Sequence, residues 1–175
     1  MSPEQFADEL RAAIDHAILA HAKHPKTARD AVRFADRATP YAIHPIWCAM
    51  TLLTETSLPL ELRRTGYQAL LWHDTIEDTN LPLPAAMSET VRDLIEEMTF
   101  RSFDEEMQRL WERSETAKLL KLYDKVSNLL DGTWMSTGRW NQYVRHTLKL
   151  AEIIEARHGQ LNIVKIARAV CILKQ

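Results

Sequence analysis

A chain of 175 residues, 46% hydrophobic and 26% charged, has enough apolar material for one buried core. Its formal net charge of −2 provides no broad basic field, which argues against duplex nucleic acid or an anionic membrane as partner. No apolar run approaches the roughly 20 residues a membrane span needs, and the acidic start (Glu4, Asp8, Glu9) is unlike a secretory signal. Cys48 and Cys171, both in apolar settings, read as buried free thiols of a cytoplasmic protein.

Helical periodicity runs through the chain, and only four glycines interrupt it. Ser2-Pro3-Glu4-Gln5 opens a helix of about 3–24, with Phe6, Leu10, Ile14, Ala17 and Ile18 as its apolar stripe and Pro25 as its stop. A short basic helix over 27–37 is expected next, carrying Arg29, Arg33 and Arg37. Thr39-Pro40-Tyr41 reads as a turn, and a helix from Pro45 to about Thr56 follows, with His44 just ahead of it. Helices are then expected over 60–74, 85–99, 103–112, 116–130, 140–157 and 161–173. Asn80 to Pro84 and 132–138 are connections, and Gly159 is the C-cap of the helix before it. With no alternating strand pattern, repeat or linker, the reading is one all-α domain over 1–175, its core at about 39–131.

The chemistry concentrates in Leu70-Leu71-Trp72-His73-Asp74-Thr75-Ile76-Glu77-Asp78, one histidine and three acids in six positions. His73 and Asp74 can turn toward one point at a helix end, and Glu77 and Asp78 follow one turn later. Imidazole beside carboxylate suits a borderline divalent ion: Mn first, with Fe, Co, Ni or Zn as alternatives. His44 and Asp124 are separated from the cluster by enough chain to join it, which makes an N₂O₂ set of His44, His73, Asp74 and Asp124. Such an ion activates water and polarises a phosphoryl oxygen. Glu77 and Asp78 would position or deprotonate that water, and Lys121 and Asn128, on the Asp124 face of their helix, could meet a phosphate.

The order His44, His73-Asp74, Asp124 resembles the HD-domain metal-dependent phosphohydrolases. The stretches Thr39-Pro-Tyr-Ala-Ile-His44-Pro, Ala69-Leu-Leu-Trp-His73-Asp-Thr-Ile-Glu77-Asp78-Thr and Ala117-Lys-Leu-Leu-Lys-Leu-Tyr-Asp124-Lys-Val-Ser-Asn128-Leu are similar to the hydrolase half of RelA/SpoT proteins, in particular the short stand-alone members. The resemblance covers about residues 14–157. It implies a helical bundle and Mn-dependent removal of the 3′-pyrophosphate from guanosine tetra- or pentaphosphate. It also implies His44, His73, Asp74 and Asp124 as metal ligands, Glu77 and Asp78 as the catalytic acids, and Asn128 facing ribose and phosphate.

Two departures fall on the nucleotide side. The family's RxKD segment is replaced by Arg33-Phe-Ala-Asp36-Arg-Ala-Thr39, with altered length and no lysine, leaving Arg33 to serve the substrate. A pocket-lining tyrosine of the family aligns with His146, with Tyr143 nearby as a substitute. Hydrolysis of another phosphorylated metabolite, such as a nucleoside monophosphate or dinucleotide, and a non-catalytic nucleotide sensor are the alternatives. Among the remaining residues, His16, His21 and His24 read as a partly exposed face, and Arg29, Arg33 and Arg37 most simply as a solvated one. Lys121 divides between a snorkelling surface lysine and a phosphate contact. Trp134 and Trp140 read as packing, and Met87, Met98 and Met107 as core filling.

Overall fold

A computed structural model of the chain describes residues 2–172. Among the described residues nine α-helices carry the fold: α1 (Pro3–Lys23), α2 (Ile43–Leu53), α3 (Leu60–Trp72), α4 (Thr75–Asp78), α5 (Glu89–Met98), α6 (Phe103–Arg109), α7 (Glu115–Leu130), α8 (Thr137–His158) and α9 (Asn162–Cys171). Short 3₁₀ turns sit at Ala28–Ala31, Leu110–Glu112 and Gly132–Trp134. Among the described residues the only β pairings are two isolated bridges, Pro25 with Thr79 and Val32 with Pro40. Residue 173, the expected end of the last helix, lies outside the described residues.

Serine hydroxyls set most helix starts. Ser2 and Gln5 form a reciprocal capping box on α1, and Ser88, Ser102, Ser114 and Ser136 each accept the N–H three residues on. This explains two displaced boundaries. The helix expected from 85 begins after Ser88, and the one expected from 140 begins after Ser136, because the cap outweighs the apolar period in fixing the first turn. Gly159 ends α8 at φ +78°, where a side chain would be strained. The basic helix expected over 27–37 is only a 3₁₀ turn, since Asp30 and Asp36 fold back on nearby backbone N–H groups and hold turns instead.

Helix α7 is the centre of the bundle. It packs against α2, α3, α5, α8 and α9, and residues on every side of it, from Leu119 to Val126, are buried. Gly66 lets α3 approach closely: a Cβ there would lie 2.7 Å from Leu52 Cδ2 and 3.0 Å from Leu120 Cδ2. One apolar cluster runs from Ala13 to Cys171 and includes both free, buried cysteines. On α1 the buried line is Ala13, Ala17, Ala20 and His21, while Ile18 is 45% exposed, so the small residues face the bundle and not the expected Ile18. Met98 and Trp140 are in the core as expected, with Met87 and Met107 packed on its edge.

Candidate metal centre and active site

Three helices deliver the candidate ligands. His44 lies in the first turn of α2, one residue inside the helix, and its N–H donates to Tyr41 O at 2.8 Å. His73 and Asp74 occupy the junction where α3 gives way to the single turn of α4. Asp124 comes from the middle of α7. His44 Nε2 is 3.2 Å from each of His73 Nε2, Asp74 Oδ2 and Asp124 Oδ1. His73 Nε2 is 3.2 Å from Asp74 Oδ1 and 3.6 Å from Asp124 Oδ1. Ligand atoms of His44, His73 and Asp124 all lie within 4.8 Å of one another. The four expected ligands therefore converge on one point.

The contacts behind these rings orient them for a cation. His73 Nδ1 donates to Leu70 O at 2.7 Å, because a carbonyl only accepts, and this turns Nε2 and its lone pair inward. His44 Nδ1 lies 2.8 Å from Ser127 Oγ, which directs its Nε2 the same way. Two imidazole nitrogens and two carboxylates meeting at 3.2–3.6 Å repel unless a positive charge stands between them. Without an ion a proton supplies it: burial opposes charge on His73, yet Asp74 and Asp124 outweigh burial and lift it to about 9. Burial pushes the carboxyls of Asp74 and Asp124 up, but the imidazoles and, for Asp124, the Lys121 ammonium hold both well below the usual range. The buried N₂O₂ donor set fits a divalent metal ion.

Above this cluster lies a cavity of about 270 Å³ whose lining includes Tyr41, Glu77, Lys121 and Asn128. Its floor is tied to the ligands. The Tyr41 hydroxyl donates to Asp74 Oδ2 at 2.8 Å, Asn128 Nδ2 donates to Asp124 Oδ1 at 2.7 Å, and Lys121 pairs with Asp124 Oδ2. Glu77 is exposed as a residue, but its Oε1 accepts the Phe100 N–H at 3.1 Å. Desolvation and the Asp74 charge push its carboxyl up to about 7. Asp78 does not line the cavity. Burial and the neighbouring Asp74, Asp30 and Glu77 charges raise it, while the Tyr41 hydroxyl opposes the rise. Lys26 grips the same turn from outside, donating to Ile76 O and Glu77 O at 2.7 Å each.

Several expected substrate contacts sit differently. Lys121 is buried, bridging Asp124 and Glu106 (3.3 Å), because only a carboxylate pair makes a buried ammonium tolerable. Arg33 is buried too, not on a solvated face. Its Nε lies 3.2 Å from Asp131 Oδ2 and its guanidinium donates to Ser127 O at 2.7 Å. Asp131 also accepts the N–H groups of Phe34 and Ala35 (2.8 and 2.6 Å), fixing that loop. His146 is away from the cavity: its Nε2 donates to Met107 O at 3.2 Å and its ring stacks on Trp111, where burial holds it down to about 4. Tyr143 lines the cavity in its stead. Trp134, expected to be packing, is 41% exposed and forms cavity wall with Phe34. His21 is buried against Tyr41, since its ring fills the gap beside the cluster. Arg101 and Arg139 also line the cavity, and no sequence motif announces them or Asp131.

An all-helical bundle with two histidines and two aspartates from separate helices defines the HD-domain class. A solved structure described as a metazoan ortholog of SpoT that hydrolyzes ppGpp shares the fold, with a TM-score of 0.68, 23% identity, and 91% of this chain and 92% of that chain covered. No family model matches the chain. A guanosine-3′,5′-bis(diphosphate) 3′-pyrophosphohydrolase MESH1 from Xenopus tropicalis is 31% identical over 144 residues, 73% of this chain and 76% of the relative. MESH1 proteins from Mus musculus and Homo sapiens are each 33% identical over 115 residues, 60% of this chain and 63% of theirs. The chain belongs to the MESH1 family of HD-domain hydrolases.

Proposed function

We propose that this chain is a metal-dependent hydrolase that removes the 3′-diphosphate from guanosine 3′,5′-bis(diphosphate), the reaction for which its relatives are named. The observation that carries the reading is one cavity in which Glu77, Lys121 and Asn128 stand over the His44/His73/Asp74/Asp124 cluster. Those four residues would hold a divalent ion, Mn first, with Fe, Co, Ni and Zn also compatible with the donor set. When bound, the ion supplies Lewis acidity toward a phosphoryl oxygen and acidifies water.

The chain's own groups do the rest. Glu77, raised to about 7, is matched to accept a proton from the attacking water near neutral pH. The water oxygen forms the new bond to phosphorus, the bond from phosphorus to the ribose 3′ oxygen breaks, and that oxygen takes up a proton. Asp78 and Tyr41 hold the turn and Asp74 in register. Lys121 and Asn128, each anchored on Asp124, meet the diphosphate and ribose. Among the described residues no helix is long and apolar enough to cross a membrane, and the two buried free thiols support a reducing, cytoplasmic setting.

Release of pyrophosphate from guanosine tetraphosphate in Mn tests the assignment. Asp74→Ala is expected to lose both metal and turnover. Glu77→Ala keeps the metal and loses roughly 10²–10⁴-fold in rate. Equal metal loss in both would show the second acid to be a ligand, and no turnover by the native chain would end the reading. One observation favours a second substrate: the segment that lacks the RxKD lysine brings Phe34 to the cavity, where it packs against Trp134. The same assay run on a dinucleotide and on nucleoside monophosphates decides between them.

A further inference from the structure

A second cavity, about 380 Å³, adjoins the catalytic one and shares Arg33, Phe34 and Trp134 with it. The Phe34 and Trp134 rings, with centroids 4.7 Å apart, are thus a common wall. Beyond that wall the lining adds Arg29 and Arg37. Arginine ion pairs among the described residues involve Arg33, Arg109 and Arg168; Arg29 and Arg37 enter none. The carboxylates next to them in sequence make other bonds. Asp30 accepts the Thr27 N–H at 2.7 Å, and Asp36 accepts the Ala38 and Thr39 N–H groups and the Thr39 hydroxyl. The Arg29 guanidinium is instead held 5.2 Å above the Phe34 ring.

The backbone there is strained and tightly held. Arg37 has φ +53°, a conformation that costs a β-carbon-bearing residue about 1 kcal/mol. It persists because Arg37 N–H donates to Arg33 O at 3.1 Å and Arg33 N–H donates to Thr39 O at 2.8 Å. Glycine or asparagine would relieve the strain, and the position carries an arginine instead. A rigid loop thus presents two guanidinium groups without carboxylate partners at a cavity that shares a wall with the catalytic one. Planar guanidinium forks recognise phosphate oxygens in pairs.

We propose that this second cavity is an anion subsite for the phosphate group that the enzyme does not cleave. For guanosine 3′,5′-bis(diphosphate) that group is the 5′-diphosphate, with the nucleoside lying along the Phe34–Trp134 wall. The inference rests on the hydrolase reading above, which places the 3′-diphosphate over the His/Asp cluster. It explains how the chain holds a nucleotide without the lysine of an RxKD segment: Arg29, ahead of the altered segment, and Arg37, within it, supply the positive charge.

The test compares two nucleotides, guanosine 3′,5′-bis(diphosphate) and guanosine 3′-diphosphate with a free 5′ hydroxyl. The native chain is expected to show a KM roughly 100-fold lower for the first, about tenfold for each arginine. In Arg29→Gln/Arg37→Gln that ratio collapses toward one, with the melting temperature confirming a folded protein. A ratio of one in the native chain, or a ratio unchanged in the double variant, overturns the subsite. If the native chain turns over neither nucleotide, the hydrolase reading fails by itself, and calorimetric binding of the same two nucleotides decides the subsite separately. A preference for the 5′-diphosphate that the double variant loses upholds it, and equal affinities sink it. Binding of inorganic pyrophosphate that depends on the two arginines, with no preference between the nucleotides, would assign the cavity to a free anion and overturn the proposal.

Discussion

The His/Asp pole and the Phe34–Trp134 wall of the cavity are built on opposite principles. At the His/Asp pole every candidate ligand projects from a helix or a helix junction, is buried or nearly so, and is oriented by a further contact such as Leu70 O or Ser127 Oγ. The opposite wall is made of a 3₁₀ turn, an Asp-braced loop and the 132–134 turn, with an exposed tryptophan and arginines stacked on rings. Chemistry that tolerates little displacement sits on rigid elements, whereas recognition sits where side chains can be exchanged without rebuilding the bundle.

The largest expected effect probes the His/Asp pole. Glu77 acts as a base only when ionised, so with its carboxyl raised to about 7 the value of kcat/KM should fall about tenfold per pH unit below 7. In Glu77→Gln the rate is low and this acid limb is gone. A native profile flat down to pH 5 would remove Glu77 from that role. The same shift has a stability consequence of definite sign. A carboxyl raised on folding binds more protons folded than unfolded between its ordinary value near 4.5 and about 7, so stability without metal declines as pH rises through that window. Urea melts at pH 5 and pH 8 check this, and the decline should be smaller in Glu77→Gln.

The next effect probes the wall. Asp131→Ala strands the buried Arg33 and two loop N–H groups, so it should cost about 3 kcal/mol and raise KM more than it lowers kcat. A stable variant with native KM would show that the loop is not held from Asp131. The smallest probes neither. Glu55, buried, accepts the Ile163 N–H at 2.9 Å and caps α9, which has no hydroxyl cap of its own. Glu55→Ala should lose about 1–2 kcal/mol in thermal melts with kcat unchanged, because neither Glu55 nor any residue of α9 lines the cavity or belongs to the His/Asp cluster.

The same contrast decides what the amino-acid sequence made legible. His44, His73, Asp74 and Asp124 could be read because their chemistry is carried by residue type and order, and the helices between them are strongly periodic. Lys121 lies on the Asp124 face as its spacing implies, but its burial, like that of Arg33, depends on a partner that no local pattern announces, Glu106 for the one and Asp131 for the other. His146 was drawn to the nucleotide by alignment alone, whereas one helical turn earlier Tyr143 faces the cavity. The starts of α5 and α8 lie three to four residues from where the apolar period puts them, because Ser88 and Ser136 cap the first turns. Trp134 looked like core because an apolar ring is usually buried; its exposure follows from the wall it forms.

The Lys26 ammonium, lodged on the carbonyls of Ile76 and Glu77, joins the segment after α1 to the turn that bears the proposed base. The Lys26 N–H on Asp78 O and the Asn80 N–H on His24 O reinforce that join. The segment that follows the first helix is therefore part of the reaction machinery at one remove: it holds the turn of Glu77 from outside the four groups that would grip the cation. Damage at this seam would leave ion uptake whole and spoil only the proton's path, a way for the enzyme to fall silent with its centre fully loaded.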